Sequence, residues 1–83
     1  MFNQYITEMQ KSIPSKIITA ALQRYENKNH IGLQEFIGCV YYECLQNGLT
    51  VSIIKLSQIT NVPVAQLQSV VHDVIFKEAE NDN

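Results

Sequence analysis

Few side chains in this 83-residue chain have types and spacing that suit chemistry. Cys39 and Cys44 stand five residues apart. On one helix, with ~3.6 residues per turn, that spacing sets them about 140° apart around the axis, so they cannot bridge each other. There is no CxxC, and neither His30 nor His72 lies near enough in sequence to suggest a metal-ligand pair. Both thiols are therefore expected as small apolar helix contacts, because free Cys is among the most buried residue types. No metal or cofactor is expected. No Ser/His/Asp, Cys/His or paired-carboxylate set can be placed on one surface, and no glycine-rich phosphate loop is present. Catalysis is not expected.

Recognition chemistry is better represented. From Gln58 to Val71 the chain reads "QITNVPVAQLQSVV", the spacing of a helix-turn-helix. That device needs an apolar then a small residue on its first helix, a permissive turn residue followed by an apolar plug, and apolar anchors on the second helix. Leu56, Ser57, Ile59, Asn61, Val62, Leu67 and Val70 fill those positions without a gap. Yet the stretch holds no lysine or arginine; the nearest are Lys55 and Lys77. The whole chain has six basic residues, a net charge of −2 and a pI near 5.5. Affinity for nucleic acid comes largely from cations displacing counterions at phosphate, so this balance weighs against autonomous DNA binding. Gln66 and Gln68 suit bidentate pairing with adenine edges, or else form a solvated helix face. His72 suits a phosphate contact or pH sensing, or else is a plain surface histidine.

Helices must position these residues. Apolar residues make up 46% of the chain and recur in periodic stripes, which argues for a folded domain and against disorder. Nothing alternates as a strand, and the pattern predicts an all-α fold of five helices in one domain spanning 1–83. Phe2, Tyr5, Ile6 and Met9 share a face of a short first helix. Pro14 or Ser15 opens a second, with Ile17, Ile18, Ala21, Leu22 and Tyr25 as its stripe. A third, about Leu33 to Gln46, carries Leu33, Phe36, Ile37, Val40, Tyr41, Cys44 and Leu45 on one face. Gly38 and Cys39 beside it leave room for a neighbouring helix. Tyr42 is expected to be partly exposed, and Glu43 either solvated or a charged contact for a partner. Gly48 suits a left-handed position after that helix. Ser52 caps a fourth helix, Asn61 takes the left-handed turn, and Pro63 starts the last. Leu67, Val70, Val71, Val74 and Ile75 form its buried face. The core is placed at 13–76, and the polar tail at 77–83 is expected to fray. The longest apolar run, "FIGCVYY", is far short of the ~20 residues that cross a bilayer. The N-terminus carries no secretory pattern. A soluble cytoplasmic protein without membrane partners is expected, nuclear if its host is a eukaryote.

Three segments in order add a family likeness. "IPSKIITAALQRYENK" reads as an opening helix bearing Ala and Tyr. "GCVYYECLQNG" reads as a central helix, with Tyr41, Cys44 and Gly48 in register. "TVSIIKLSQITNVPVAQLQSVVHDVI" closes the series without insertion. Over Ile13 to Ile75 the chain resembles one cyclin-like repeat of the transcription factor B family (archaeal transcription factor B, eukaryotic transcription factor IIB). The resemblance implies a five-helix cyclin-like bundle ending in a helix-turn-helix. Family members typically carry two repeats after a zinc ribbon, and they bridge TATA-binding protein, promoter DNA and RNA polymerase. Carried over, the recognition surface would be Pro63, Val64, Ala65, Gln68, Ser69 and His72, with Ser52 and Lys55 within reach of phosphate. Departures are plain. There is room for one repeat and no zinc ribbon. Leu45 stands where Arg is usual, and Glu43 where a small Ala is usual. The last helix lacks the customary Lys or Arg, and the loop after Tyr25 is shorter. The expected function is a transcription regulator or initiation accessory that binds promoter DNA or joins a polymerase or TATA-binding protein assembly. The alternative is a protein-interaction module, an adaptor or a homodimer, that uses the same surface. A small single-repeat relative of this family would suit an archaeal virus or mobile element.

Overall fold

A computed structural model describes residues 2–28 and 30–81. Among these residues there are five α-helices and no strand: α1 (Asn3–Met9), α2 (Ser15–Asn27), α3 (Gly32–Gln46), α4 (Ile53–Thr60) and α5 (Val64–Asn81). The all-α expectation holds.

Helix α3 is the centre, packed between α2 and α5, while α1 leans on α4 and α4 on α5. Its burial is not a single stripe. Phe36 to Val40 and Tyr42 to Cys44 are all buried, so neighbours surround most of the helix. Three expectations for this helix fail. Tyr42 is buried and Tyr41 only half-buried, the reverse of a one-faced reading, and Leu45 is exposed. At Gly38, α5 packs tightly against α3. A Cβ built there would stand 2.7 Å from Cγ2 of Val74, so only the missing side chain permits this approach.

The helix boundaries follow local chemistry. Helix α3 ends in a Schellman arrangement: Gly48 has φ 72°, the Leu49 N–H donates to the Cys44 carbonyl at 2.8 Å, and the Gly48 N–H donates to that of Leu45 at 3.2 Å. Ser52 caps α4, its Oγ accepting from the Lys55 N–H at 3.3 Å. Asn61 closes α4 in the left-handed region, with φ 60°. The Ser57 hydroxyl donates to the Val62 carbonyl at 2.6 Å, which ties α4 to the turn. Val62 plugs the core behind that turn, and Leu67, Val71 and Val74 anchor α5.

Helix α1 extends the core beyond the expected 13–76. Met9 is fully buried, and Phe2 stacks on Phe36 at 4.9 Å while meeting the edge of Tyr25 at 5.7 Å. At the other end, α5 runs through the expected frayed tail as far as Asn81, and Glu78 has no exposed surface. The rest of that tail lies outside the described residues. No helix among the described residues is long and apolar enough to cross a membrane.

Candidate functional site

The helix α4–turn–α5 unit carries the sequence-predicted surface. The turn is three residues long, Asn61 to Pro63. With Val62, Leu67, Val70, Val71 and Val74 turned to the core, the opposite side of α5 is left open. Pro63, Ala65, Gln68, Ser69 and His72 are exposed there, and Val64 is half-buried. Ser52 and Lys55 are exposed at the start of α4. Gln66 is exposed too, and its amide oxygen accepts from Gln34 of α3 at 3.2 Å, which occupies one of its groups.

Sequence reasoning missed a neighbour of this row. Phe76 is 67% exposed and lies one turn beyond His72 at i+4 spacing. That spacing was the available signal. From Pro63 to Phe76 the helix bears no cation and one acid, Asp73, so the face offers hydrogen bonds and apolar area in place of charge.

The far end of α5 builds something different, a partly buried chain of ion pairs and hydrogen bonds. Arg24 of α2 donates from Nε to Glu43 Oε1 at 2.8 Å and from Nη1 to Glu78 Oε2 at 2.8 Å. Its guanidinium also lies 4.7 Å over the centroid of the Tyr42 ring, a cation–π contact. The other Glu78 oxygen, Oε1, lies 2.8 Å from His30 Nε2, and His30 Nδ1 lies 2.9 Å from Glu35 Oε1. The Ile31 N–H adds a longer bond to the same Glu35 oxygen at 3.3 Å. Each ring nitrogen of His30 is hydrogen-bonded to a carboxyl group. Arg24 and His30 thus alternate with three carboxyl groups from α3 through α2 and α5 to the start of α3. Among the described residues no buried side-chain polar atom lacks a partner, as burial of charge requires.

Glu43, expected to be solvated or a partner's contact, is instead buried inside this chain. An ionic group can lie there because Arg24 is positioned to meet it. Burial works to lower the Arg24 pKa, but its bonds to both carboxylates outweigh that and hold it above the ordinary value. Burial works to raise the Glu35 carboxyl, yet the bonds from His30 and the Ile31 N–H leave it lowered.

The two thiols are free and buried, as apolar contacts should be. Burial, reinforced by the Glu78 carboxylate, pushes the Cys39 thiol up to about 12, and burial also raises Cys44. Cys39 nevertheless has company that linear spacing does not reveal. Its Sγ, a ring nitrogen of His30 and a carboxylate oxygen of Glu78 all lie within 4.8 Å of one another.

No family model matches the chain, and no curated protein or solved structure does so either.

Proposed function

We propose that this chain is a transcription regulator or initiation accessory, a single cyclin-like repeat that engages promoter DNA through α5 within a polymerase or TATA-binding protein assembly. One observation carries the reading. A three-residue turn with a left-handed Asn61 leads into a helix whose inner side is anchored by Leu67, Val71 and Val74, while Pro63, Ala65, Gln68, Ser69 and His72 stand open to solvent in a row. Lys55 flanks the start of the unit, and the Ser52 hydroxyl that caps α4 stands beside it. These residues can meet phosphate, while Gln68 offers an amide to a base edge. With so few cations at hand, the assembly supplies most of the electrostatic attraction.

A fluorescently labelled promoter-derived duplex, titrated at low salt, tests direct contact. Binding that weakens steeply with added salt, with loss of sequence preference on Gln68→Ala, is the expected result. No change in anisotropy at low salt removes DNA reading from the account.

A second reading rests on Phe76. An aromatic side chain 67% exposed beside an uncharged helical row favours a protein surface, either a partner's or a second copy's. If this reading is right, sizing at micromolar concentration or capture of a partner after nuclease treatment depends on Phe76.

A further inference from the structure

We propose that His30, Cys39 and Glu78 form a buried site for a divalent transition-metal ion of the zinc class, which clamps the C-terminal end of α5 to α3 and to the segment that enters it. The site stands apart from the α5 recognition face and does not depend on that reading. Its three ligand types are imidazole, thiol and carboxylate, the set that borderline-soft Zn²⁺ takes. All three residues are buried, at 8%, 0% and 0% exposure. Metal–ligand distances of about 2.0–2.3 Å place tetrahedral donor atoms roughly 3.3–3.6 Å apart. The present spread of up to 4.8 Å therefore closes by about an ångström at its widest. The 2.8 Å approach of His30 Nε2 to Glu78 Oε1 opens slightly as the ion enters between them.

The outer partners of such a site are already built. A ligating histidine commonly donates its other N–H to a carboxylate, and a ligating carboxylate is itself hydrogen-bonded. His30 Nδ1 faces Glu35 Oε1 at 2.9 Å, while Glu78 Oε2 accepts from Arg24 at 2.8 Å. Both contacts leave His30 Nε2 and Glu78 Oε1 as the coordinating atoms. The exchange also balances. One ion with two positive charges enters, the proton held in the bond between His30 Nε2 and Glu78 Oε1 leaves, the thiol loses its proton, and both protons go to solvent. The net charge of the cluster is unchanged, so a region built to hold one charge distribution holds the other without a new uncompensated group. Three protein ligands are one fewer than closed structural zinc sites use, which leaves a fourth position for water.

Titration of the full chain with Co²⁺, under a non-chelating phosphine reductant, reads the site directly. The wild type is expected to bind one Co²⁺ with a near-ultraviolet thiolate-to-cobalt charge-transfer band and tetrahedral visible bands, all displaced by Zn²⁺. Cys44→Ala should keep the bands, and Cys39→Ala should lose the charge-transfer band and bind at least tenfold more weakly. Absence of the charge-transfer band in the wild type overturns the proposal, and so does a band that survives Cys39→Ala or vanishes with Cys44→Ala. The wild-type and Cys44→Ala results decide the matter even if Cys39→Ala does not fold.

Discussion

Glu78 has no exposed surface, and its carboxyl group bonds Arg24 through one oxygen and His30 through the other. Truncating it leaves the Arg24 guanidinium and the buried His30 ring without that partner. Glu78→Ala is therefore expected to lower stability by about 3–5 kcal/mol, the range for breaking a buried ion pair from one side. Urea unfolding followed by helical circular dichroism measures it. The neighbouring Glu35 sets a pH dependence. Its carboxyl is lowered in the folded chain, with burial opposing the shift and the bonds from His30 and Ile31 winning. A lowered acid stabilises the fold fully above its ordinary value of ~4.3 and loses that contribution as pH falls through the lowered folded value. Below about pH 4.3 the wild type should lose stability faster than Glu35→Gln, measured as unfolding midpoints across an acid series.

Helix–helix contact depends on small residues as much as on large ones. At Gly38, α3 and α5 touch so closely that an added methyl would meet Val74 at 2.7 Å. Two effects oppose each other in Gly38→Ala. Helix propensity favours alanine by about 1 kcal/mol, whereas overpacking a filled core costs about 1–3 kcal/mol. The clash involves a β-branched side chain that is itself buried, so the overpacking dominates and the variant should be less stable. Combining it with Val74→Ala should destabilise by less than the sum of the two single changes, as a double-mutant cycle would read.

This close approach was legible in advance because glycine inside an apolar helix pattern has few other uses. So were the helix ends, since Gly48, Ser52 and Asn61 each hold the conformation or bond that their side chains favour. The faces of α3 were not legible. A stripe model assumes one wet side, and α3 has neighbours around most of its circumference, so Tyr42 and Glu43 went the wrong way.

The whole molecule explains why the ionic chain escaped sequence reading. Glu78 meets Arg24 across 54 positions and His30 across 48, and nothing local to "KEAENDN" signals a partner at that distance. A polar tail and a buried clamp look alike until the fold brings the cation over. The same holds for Cys39, whose neighbours come from the α2–α3 connection and from α5. The radius of gyration, 11.4 Å, is close to the ~12 Å expected of a compact 83-residue domain. Helix α5 is thus part of one packed body, tied down at Glu78 while its leading half presents the row from Pro63 to His72. Pinning one end of a helix fixes where the other end points, which gives this uncharged row a defined direction.

Whether that row is the working surface is tested most directly by Ala65→Glu. Position 65 is exposed in the first turn of α5, where a negative charge favours the helix dipole, so the fold should survive. The added charge repels phosphate and spoils an apolar contact alike. The tagged wild type, drawn through host extract with and without nuclease, is expected to retain polymerase or TATA-binding protein, and Ala65→Glu to retain at least tenfold less. Equal retention of those partners by a folded Ala65→Glu chain would contradict the account.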